Sequence, residues 1–578
     1  MATSPPDHGL ARGLTNYGDR AFSLYLRRSF ARSMGYSSEM LARPVVGIAN
    51  SASGFNNCHR HFPELLEAVK RGVLAAGGLP LEFPTISLGE VFLAPTSLMF
   101  RNLMSMDVEE MVRAQPMDAV VLMGGCDKTV PAQLMGAASA GVPAIQIVAG
   151  PMMTSRWRSE RLGACTDCRR FWAQFRAGKV SPAEIQQIEG GLATTAGTCA
   201  VMGTASTMAC IAETLGMCLP GTAAIPAVHA DRLRAAEATG AAAVRLAASK
   251  LTPDRIITRK SVENALRVLL ALGGSTNAVI HLTAIAGRLG IDIPLAWINE
   301  LSDTTPVLVD LKPTGQHYME DFFAAGGMSV VLCELKDRLH LDCMTVTGET
   351  LGERLAGAGE LYIDPAVIRP ASNPVEPAGG LVALFGSLAP RGAILKRSAA
   401  DKSLFEKEGR AVVFSSLEDL AARIDSPELD VTADDILVLQ NAGPTSGSGM
   451  PEAGYLPIPA KLARAGVKDM VRISDARMSG TAYGAVVLHV APEAAAGGPL
   501  ALVRNGDRIH LSVSDRRLDL LVDEAELSRR KAEWARMAAT RPRPQRGYAK
   551  LYMDSVLQAD GGCDFSFLRA APGAADKP

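Results

Sequence analysis

Aromatic side chains are scarce. Phe, Tyr and Trp make up 5% of the 578 residues, against 54 glycines. That balance disfavours a sandwich built on aromatic packing and favours an α/β protein with many tight turns. Charge of one sign is also missing: 59 basic residues face 60 acidic ones, a net charge of −1 with no like-charge block. Nothing here suits a nucleic-acid partner, and the expected ligand is a small molecule. No apolar run approaches the ~20 residues needed to span a bilayer. The opening MATSPPDHGLARG has no apolar signal core, so the expectation is a cytoplasmic protein without a membrane partner.

The length is too great for one ordinary core. Residues 1–45 are polar and Arg-rich and read as an arm. From 46 to 380, strand-like runs (PVVGIAN, DAVVLMGG, PAIQIVAG) alternate with turns and helical periodicity, as in HFPELLEAVKRGVLAAGG, where Pro63 suits the first turn and Gly77 can stop the helix. ENALRVLLALGGSTNAVIHLTAIAGRLG reads as two helices about a Gly-Gly break. After the linker-like RPASNPVEPAGG, residues 385–578 form a β-rich region of short strands with a C-terminal helix and tail. In RIHLSVSDRRLDLLV, Ile509, Leu511 and Val513 fall on one face and Arg508, His510 and Ser512 on the other. Asp523 and Glu526 are spaced as a capping pair. The fold class expected is α/β: a parallel sheet covered by helices, then a barrel-like β-rich domain.

Ten cysteines are present, and in a reducing compartment they are thiols. Three share one setting. Cys58, Cys126 and Cys199 each follow a polar or Gly-rich turn in the α/β half, 68 and 73 residues apart. Ligands of open α/β sheets gather beyond the carboxyl ends of the strands, where three such turns can converge. Plain core cysteines are the competing reading. Three thiolates on an iron–sulfur cluster leave one iron position open, and counting leaves [2Fe–2S] and [4Fe–4S] both open. The CTDC at 165–168 lacks the second pair of a structural zinc site and reads as structural.

NAGPTSGSGMPE invites a phosphate-loop reading, but Met450-Pro451-Glu452 stands where a Walker loop needs Gly-Lys-Ser/Thr. A carboxylate in a Gly-rich loop fits a hard cation better. Ser479 and Thr481 flank Gly480 in a turn that either is a plain β-turn or presents hydroxyls to a substrate. Glu90 alone reads as a loop carboxylate.

Taken together, NNCHRHFPELLEAVKRGV, GGCDKTVPAQLMGAASAGVPAIQIVAGPM, GTCAVMGTASTMACIAETLGMCLPG, LGGSTNAVIHLTAIA, GPTSGSGMPE and SDARMSGTAYG resemble the iron–sulfur dehydratase family of dihydroxy-acid, phosphogluconate and sugar-acid (aldonate) dehydratases over about residues 40–570. The resemblance implies a cluster, often [2Fe–2S], on Cys58, Cys126 and Cys199. It implies Mg²⁺ on Glu90, Asp127, Glu452 and a carbamylated Lys128, Ser479 as base and Thr481 as its helper. It further implies a homodimer or homotetramer. Ala-Arg-Met in SDARMSG and His317-Tyr318 in PTGQHYMED resemble the sugar-acid members, with L-arabinonate or D-xylonate as typical substrates, more than the branched-chain enzyme. The implied reaction removes water from an aldonate to give a 2-keto-3-deoxy acid. Dihydroxy-acid dehydration is the alternative within the family. A nucleotide- or phosphate-binding protein without a cluster, using 441–449 as its anion loop, is the alternative from another class.

Overall fold

The computed structural model describes residues 8–14 and 17–571. Strands β1 (Val45–Asn50), β2 (Leu79–Pro84), β3 (Ala119–Gly124) and β4 (Ala144–Val148) form a four-stranded parallel sheet in the order β2-β1-β3-β4. Every residue of β3 and β4 is buried, which is why their sequences are runs rather than alternations: helices cover both faces.

Helix Phe62–Ala75 starts with Pro63 in its first turn and ends before Gly77, whose φ of +86° is the left-handed conformation that stops a helix. It packs along Ala230–Ser249 at close range. A Cβ at Gly72 would sit 1.9 Å from the Glu237 carbonyl oxygen, and one at Gly240 would sit 2.2 Å from that of Val69, so the crossing requires glycine on both helices. The Gly-Gly break separates Arg259–Ala271 from Asn277–Gly287.

A short hairpin, β5 (Ser155–Trp157) and β6 (Glu160–Leu162), precedes helix Thr166–Arg176. The second half holds β7 (Leu381–Leu384), β8 (Gly392–Lys396), β9 (Glu406–Phe414), β10 (Ile436–Leu439), β11 (Arg472–Ser474), β12 (Val486–Ala491), β13 (Arg508–Ser512) and β14 (Arg517–Leu521). They form one mixed sheet, ordered β14-β13-β9-β10-β11-β12-β8-β7. Its edges meet at Phe385, whose N–H donates to the Arg516 carbonyl (2.9 Å) and whose carbonyl accepts from the Leu518 N–H (2.9 Å). The sheet is thus a nearly closed barrel, which leaves few unpaired edge groups. The overall class is α/β, with a helix-covered parallel sheet followed by this barrel-like sheet.

The alternating RIHLSVSDRRLDLLV is a hairpin, with Ser512 opposite Arg517. Ile509 and Leu511 are buried, but so is Ser512, because its hydroxyl turns to accept the Asp515 N–H (3.1 Å). Asp523 caps helix Glu524–Ala538 by accepting the Glu526 N–H (2.9 Å), while the Glu526 carboxylate goes to Arg529 and Arg530 rather than back to the cap. The C-terminal tail packs into the first half. Asp564 pairs with the buried Arg288 (2.6 Å), and Arg101 donates to the Cys563 carbonyl (2.9 Å). No helix among the described residues is long and apolar enough to cross a membrane.

Candidate active site

The carboxyl ends of β1, β2 and β3 carry the loops of Cys58, Glu90 and Cys126-Asp127-Lys128. Buried histidine and serine side chains tie these loops together. Ser51 Oγ donates to the Met123 carbonyl (2.7 Å). His59 bonds the Ser51 carbonyl through Nδ1 (2.8 Å), and its Nε2 accepts the Cys126 N–H (3.0 Å). That pair of bonds fixes a neutral imidazole, and burial holds its pKa down at about 4. Gly89 lets the Glu90 loop approach: a Cβ there would meet the Phe55 carbonyl oxygen at 2.6 Å.

Five thiols gather where these loops meet helix Thr166–Arg176 and the loop before helix Thr204–Thr214. Cys126 shares a hydrogen bond with Cys58, which together with burial raises its pKa well above the ordinary thiol range. Cys199 feels the charge of Cys58 and shares a hydrogen bond with Cys165, their sulfurs 3.2 Å apart. Cys165 is in turn hydrogen-bonded to Cys168, and these bonds lower its pKa. The CTDC segment, which reads in sequence as merely structural, therefore lies against one of the three singled-out thiols.

Beside the thiols is a buried charge cluster. Lys128 Nζ, at 0% exposure, lies 2.5 Å from Asp127, 3.1 Å from Glu90 and 3.8 Å from Glu452. Arg477, equally buried, reaches Glu452 at 3.2 Å and Glu90 at 3.6 Å, and donates to the Met450 carbonyl and Thr96 Oγ1. Cys126 Sγ is 3.7 Å from Asp127 Oδ1, so sulfur and oxygen donors adjoin at one turn. Burial and Arg477 oppose the Lys128 charge, but the three carboxylates outweigh them and hold its pKa above the usual lysine value. Burial raises Asp127 and Glu452, with Glu90 adding to both; Glu90 itself is lowered, because Lys128 and Arg477 overcome its burial. Asn277 donates to Glu452 Oε1 (3.0 Å), fixing that carboxylate from a helix start.

The Ser479-Gly480-Thr481 turn closes the crevice. Ser479 Oγ lies 2.8 Å from Thr481 Oγ1. A Cβ at Gly480 would strike Ser275 at 2.6 Å, and one at Gly203 would strike Thr481 Cγ2 at 2.8 Å and lie 4.0 Å from Cys199 Cβ, so the turn is pressed between the GGSTNA segment and the Cys199 loop.

The structure thus brings Cys58, Cys126, Cys199, Glu90, Asp127, Lys128, Glu452, Ser479 and Thr481 to one crevice. Sequence reasoning missed Arg477, Asn277 and Cys165, although SDARMSG, GGSTNA and CTDC each contain one. Tyr318 is not free to meet a polyol: its hydroxyl donates to Asp167 (2.7 Å) and takes a bond from Lys312 Nζ. The Gly-rich loop is no anion cradle either. The Thr445 N–H and hydroxyl both donate to the Glu493 carboxylate (2.9 and 2.7 Å), which would repel a phosphate.

Among the described residues no three His, Cys, Asp or Glu side chains are drawn into a ready-made cage for a metal ion. The carboxylates close instead on the Lys128 ammonium, a cation held by hard oxygens, and that donor chemistry suits Mg²⁺. The adjoining thiols suit iron.

Residues 43–354 match the model of the dihydroxy-acid/6-phosphogluconate dehydratase N-terminal domain, and residues 366–563 that of the C-terminal domain. The chain is 48% identical to the L-arabonate dehydratase of Azospirillum brasilense over 95% of each chain. It is 45% identical to the 6-deoxy-6-sulfo-D-gluconate dehydratase of Pseudomonas putida over 93% of each. Against the dihydroxy-acid dehydratase of Ignicoccus hospitalis it is 41% identical, over 93% of this chain and 96% of that one.

Proposed function

Because the chain belongs to the dihydroxy-acid/6-phosphogluconate dehydratase family, we propose that it dehydrates a sugar acid to a 2-keto-3-deoxy acid. The observation that carries this reading is the meeting of the thiol group and the Lys128 carboxylate cluster, with the Ser479-Gly480-Thr481 turn set against the Cys199 loop. The names of the more similar relatives favour an aldonate over a branched-chain dihydroxy acid.

Cys58, Cys126 and Cys199 would hold an iron–sulfur cluster, with [2Fe–2S] the reading preferred, and Glu90, Asp127, Glu452 and a carbamylated Lys128 would hold Mg²⁺. When bound, the cluster supplies a Lewis acid for the departing C3 hydroxyl, and the magnesium supplies positive charge for the C1 carboxylate and C2 hydroxyl. The chain's own residues do the rest. Ser479 Oγ, as the alkoxide, takes the C2 proton and becomes the alcohol, which returns that proton to the departing C3 hydroxyl; Thr481, 2.8 Å away, donates a hydrogen bond that steadies the alkoxide. Arg477 stands as a second cation beside Glu90 and Glu452 and favours their ionised forms against burial. Loss of the C3 hydroxyl with that proton releases one water, and the enol left behind tautomerises to the ketone. The intervening positions exclude bulk water, since Asp127, Lys128 and Thr481 are all buried. We place the reaction in the cytoplasm, in a homo-oligomer.

Anaerobically purified protein assayed on pentonates, hexonates and 2,3-dihydroxyisovalerate tests the proposal. Formation of 2-keto-3-deoxy acids from aldonates is the expected result. Turnover of 2,3-dihydroxyisovalerate alone would replace this reading with the branched-chain one.

A further inference from the structure

Lys396 ends strand β8 and is 1% exposed. A lysine buried to that degree normally has a carboxylate partner. Among the described residues Lys396 has none: its Nζ donates to one neutral group, the Gly480 carbonyl, at 3.3 Å. Burial alone brings its pKa down to about 7. The charged groups on neighbouring elements are committed elsewhere. Arg397 turns to the Gly379 carbonyl (2.7 Å), Asp469 and Arg472 pair with each other (2.5 Å), and Arg477 holds Glu90 and Glu452.

Gly480 is the middle of the turn that presents Ser479 and Thr481. Its Cα side is pressed against Ser275 and the Thr204 N–H, where a Cβ would lie at 2.6 and 3.0 Å. Its carbonyl side faces Lys396. The turn is therefore gripped from both sides, and one grip is a cation held at a cost to the fold.

We propose that Lys396 is a positioning residue for Ser479, clamping the Ser479–Thr481 turn through the Gly480 carbonyl and placing a buried positive charge behind the hydroxyl that removes the C2 proton. This rests on the reading of Ser479 as base. A serine hydroxyl is a weak base near neutral pH, and a desolvated cation close behind it favours the alkoxide. A cation at that place that served packing alone would be better replaced by an apolar side chain.

The test is Lys396→Met in the cluster-loaded enzyme, with Lys396→Gln read in the same way should the first variant not fold. The expected result is a fall in kcat of about 100-fold with KM for the aldonate within about threefold. The acidic limb of the kcat–pH profile, which reports protonation of the base, moves up by about one unit as the oxyanion loses its supporting charge. Visible absorbance and iron content stay at wild-type levels, and the thermal midpoint is unchanged or higher. Adding Lys396→Met to Ser479→Ala lowers the rate no further. A variant with kcat within threefold of wild type, or one whose activity falls only together with thermal midpoint and iron, overturns the proposal while leaving the dehydratase reading intact. Near-normal activity of Ser479→Ala overturns it too, since no base would then need positioning. Failure of the wild-type enzyme on every aldonate would instead count against the proposed function.

Discussion

Cys165 Sγ lies 3.2 Å from Cys199 Sγ, across 34 residues of chain. The two thiols have different proposed tasks. On the proposed reading Cys199 would bind iron, whereas Cys165, within hydrogen-bond distance of that sulfur, would tune the potential of the cluster without binding it. Cys199→Ser should purify with its iron and acid-labile sulfide largely lost. Cys165→Ser should keep both and shift the reduction potential. Loss of iron in Cys165→Ser equal to that in Cys199→Ser would make Cys165 a ligand and remove the open iron position.

Lys128 sits as an ammonium among three carboxylates, which hold its pKa up. Carbamylation needs the neutral amine, so activation should be slow and should require bicarbonate and Mg²⁺ together. Protein depleted of both should regain activity over minutes when both are added, and Lys128→Arg should stay inactive at any bicarbonate concentration. Full activity in bicarbonate-free buffer would exclude the carbamate.

Arg477 and Lys128 are the two cations set against Glu90, Asp127 and Glu452. Removing Arg477 leaves the buried Asp127 and the part-buried Glu90 and Glu452 with one cation. Breaking such a pair costs on the order of 3–5 kcal/mol. Arg477→Met should be destabilised by about that amount, and Mg²⁺ should recover part of it by adding charge to the same place. A chemical-denaturation midpoint unmoved by the substitution would contradict the electrostatic role given to Arg477.

His489 on β12 is 3% exposed, and burial, with Arg477 adding to it, lowers its pKa to about 3. The unfolded chain takes up that proton near pH 6.5 and the folded chain does not. Its contribution to stability is therefore complete above about pH 6.5 and declines as pH falls toward 3, by about 2 kcal/mol between pH 6.5 and 5. His489→Leu should flatten the dependence of the denaturation midpoint on pH over that interval. An unchanged slope would mean that His489 is protonated in the fold.

Much of the fold was legible because single stretches encode it. VVGIAN, AVVLMG and AIQIV are apolar runs bounded by glycine or polar turns, and each is a buried strand of the parallel sheet. The barrel was legible as β-rich, but its closure through Phe385 depends on a bridge to Arg516 and Leu518 more than 130 residues away, which no local pattern records. At the site, Cys58 and Cys126 stand out because each follows a strand. Cys165 and Lys396 do not: one is brought to Cys199 by the path of a loop, and the other is a lone cation at a strand end whose burial only the packed barrel determines. The role of Tyr318 was not legible either, since a polar tip in a sequence does not show that Asp167 already holds it.

The central claim is that iron on the thiols and a hard cation among the carboxylates act on one aldonate. The most direct measurement titrates iron and sulfide into cluster-depleted protein under argon, with Mg²⁺ and bicarbonate present, and follows 2-keto-3-deoxy acid formation from L-arabinonate at each step. The account predicts turnover that rises in proportion to bound iron and levels off when each chain holds one cluster. Full-rate turnover by iron-free protein would contradict it.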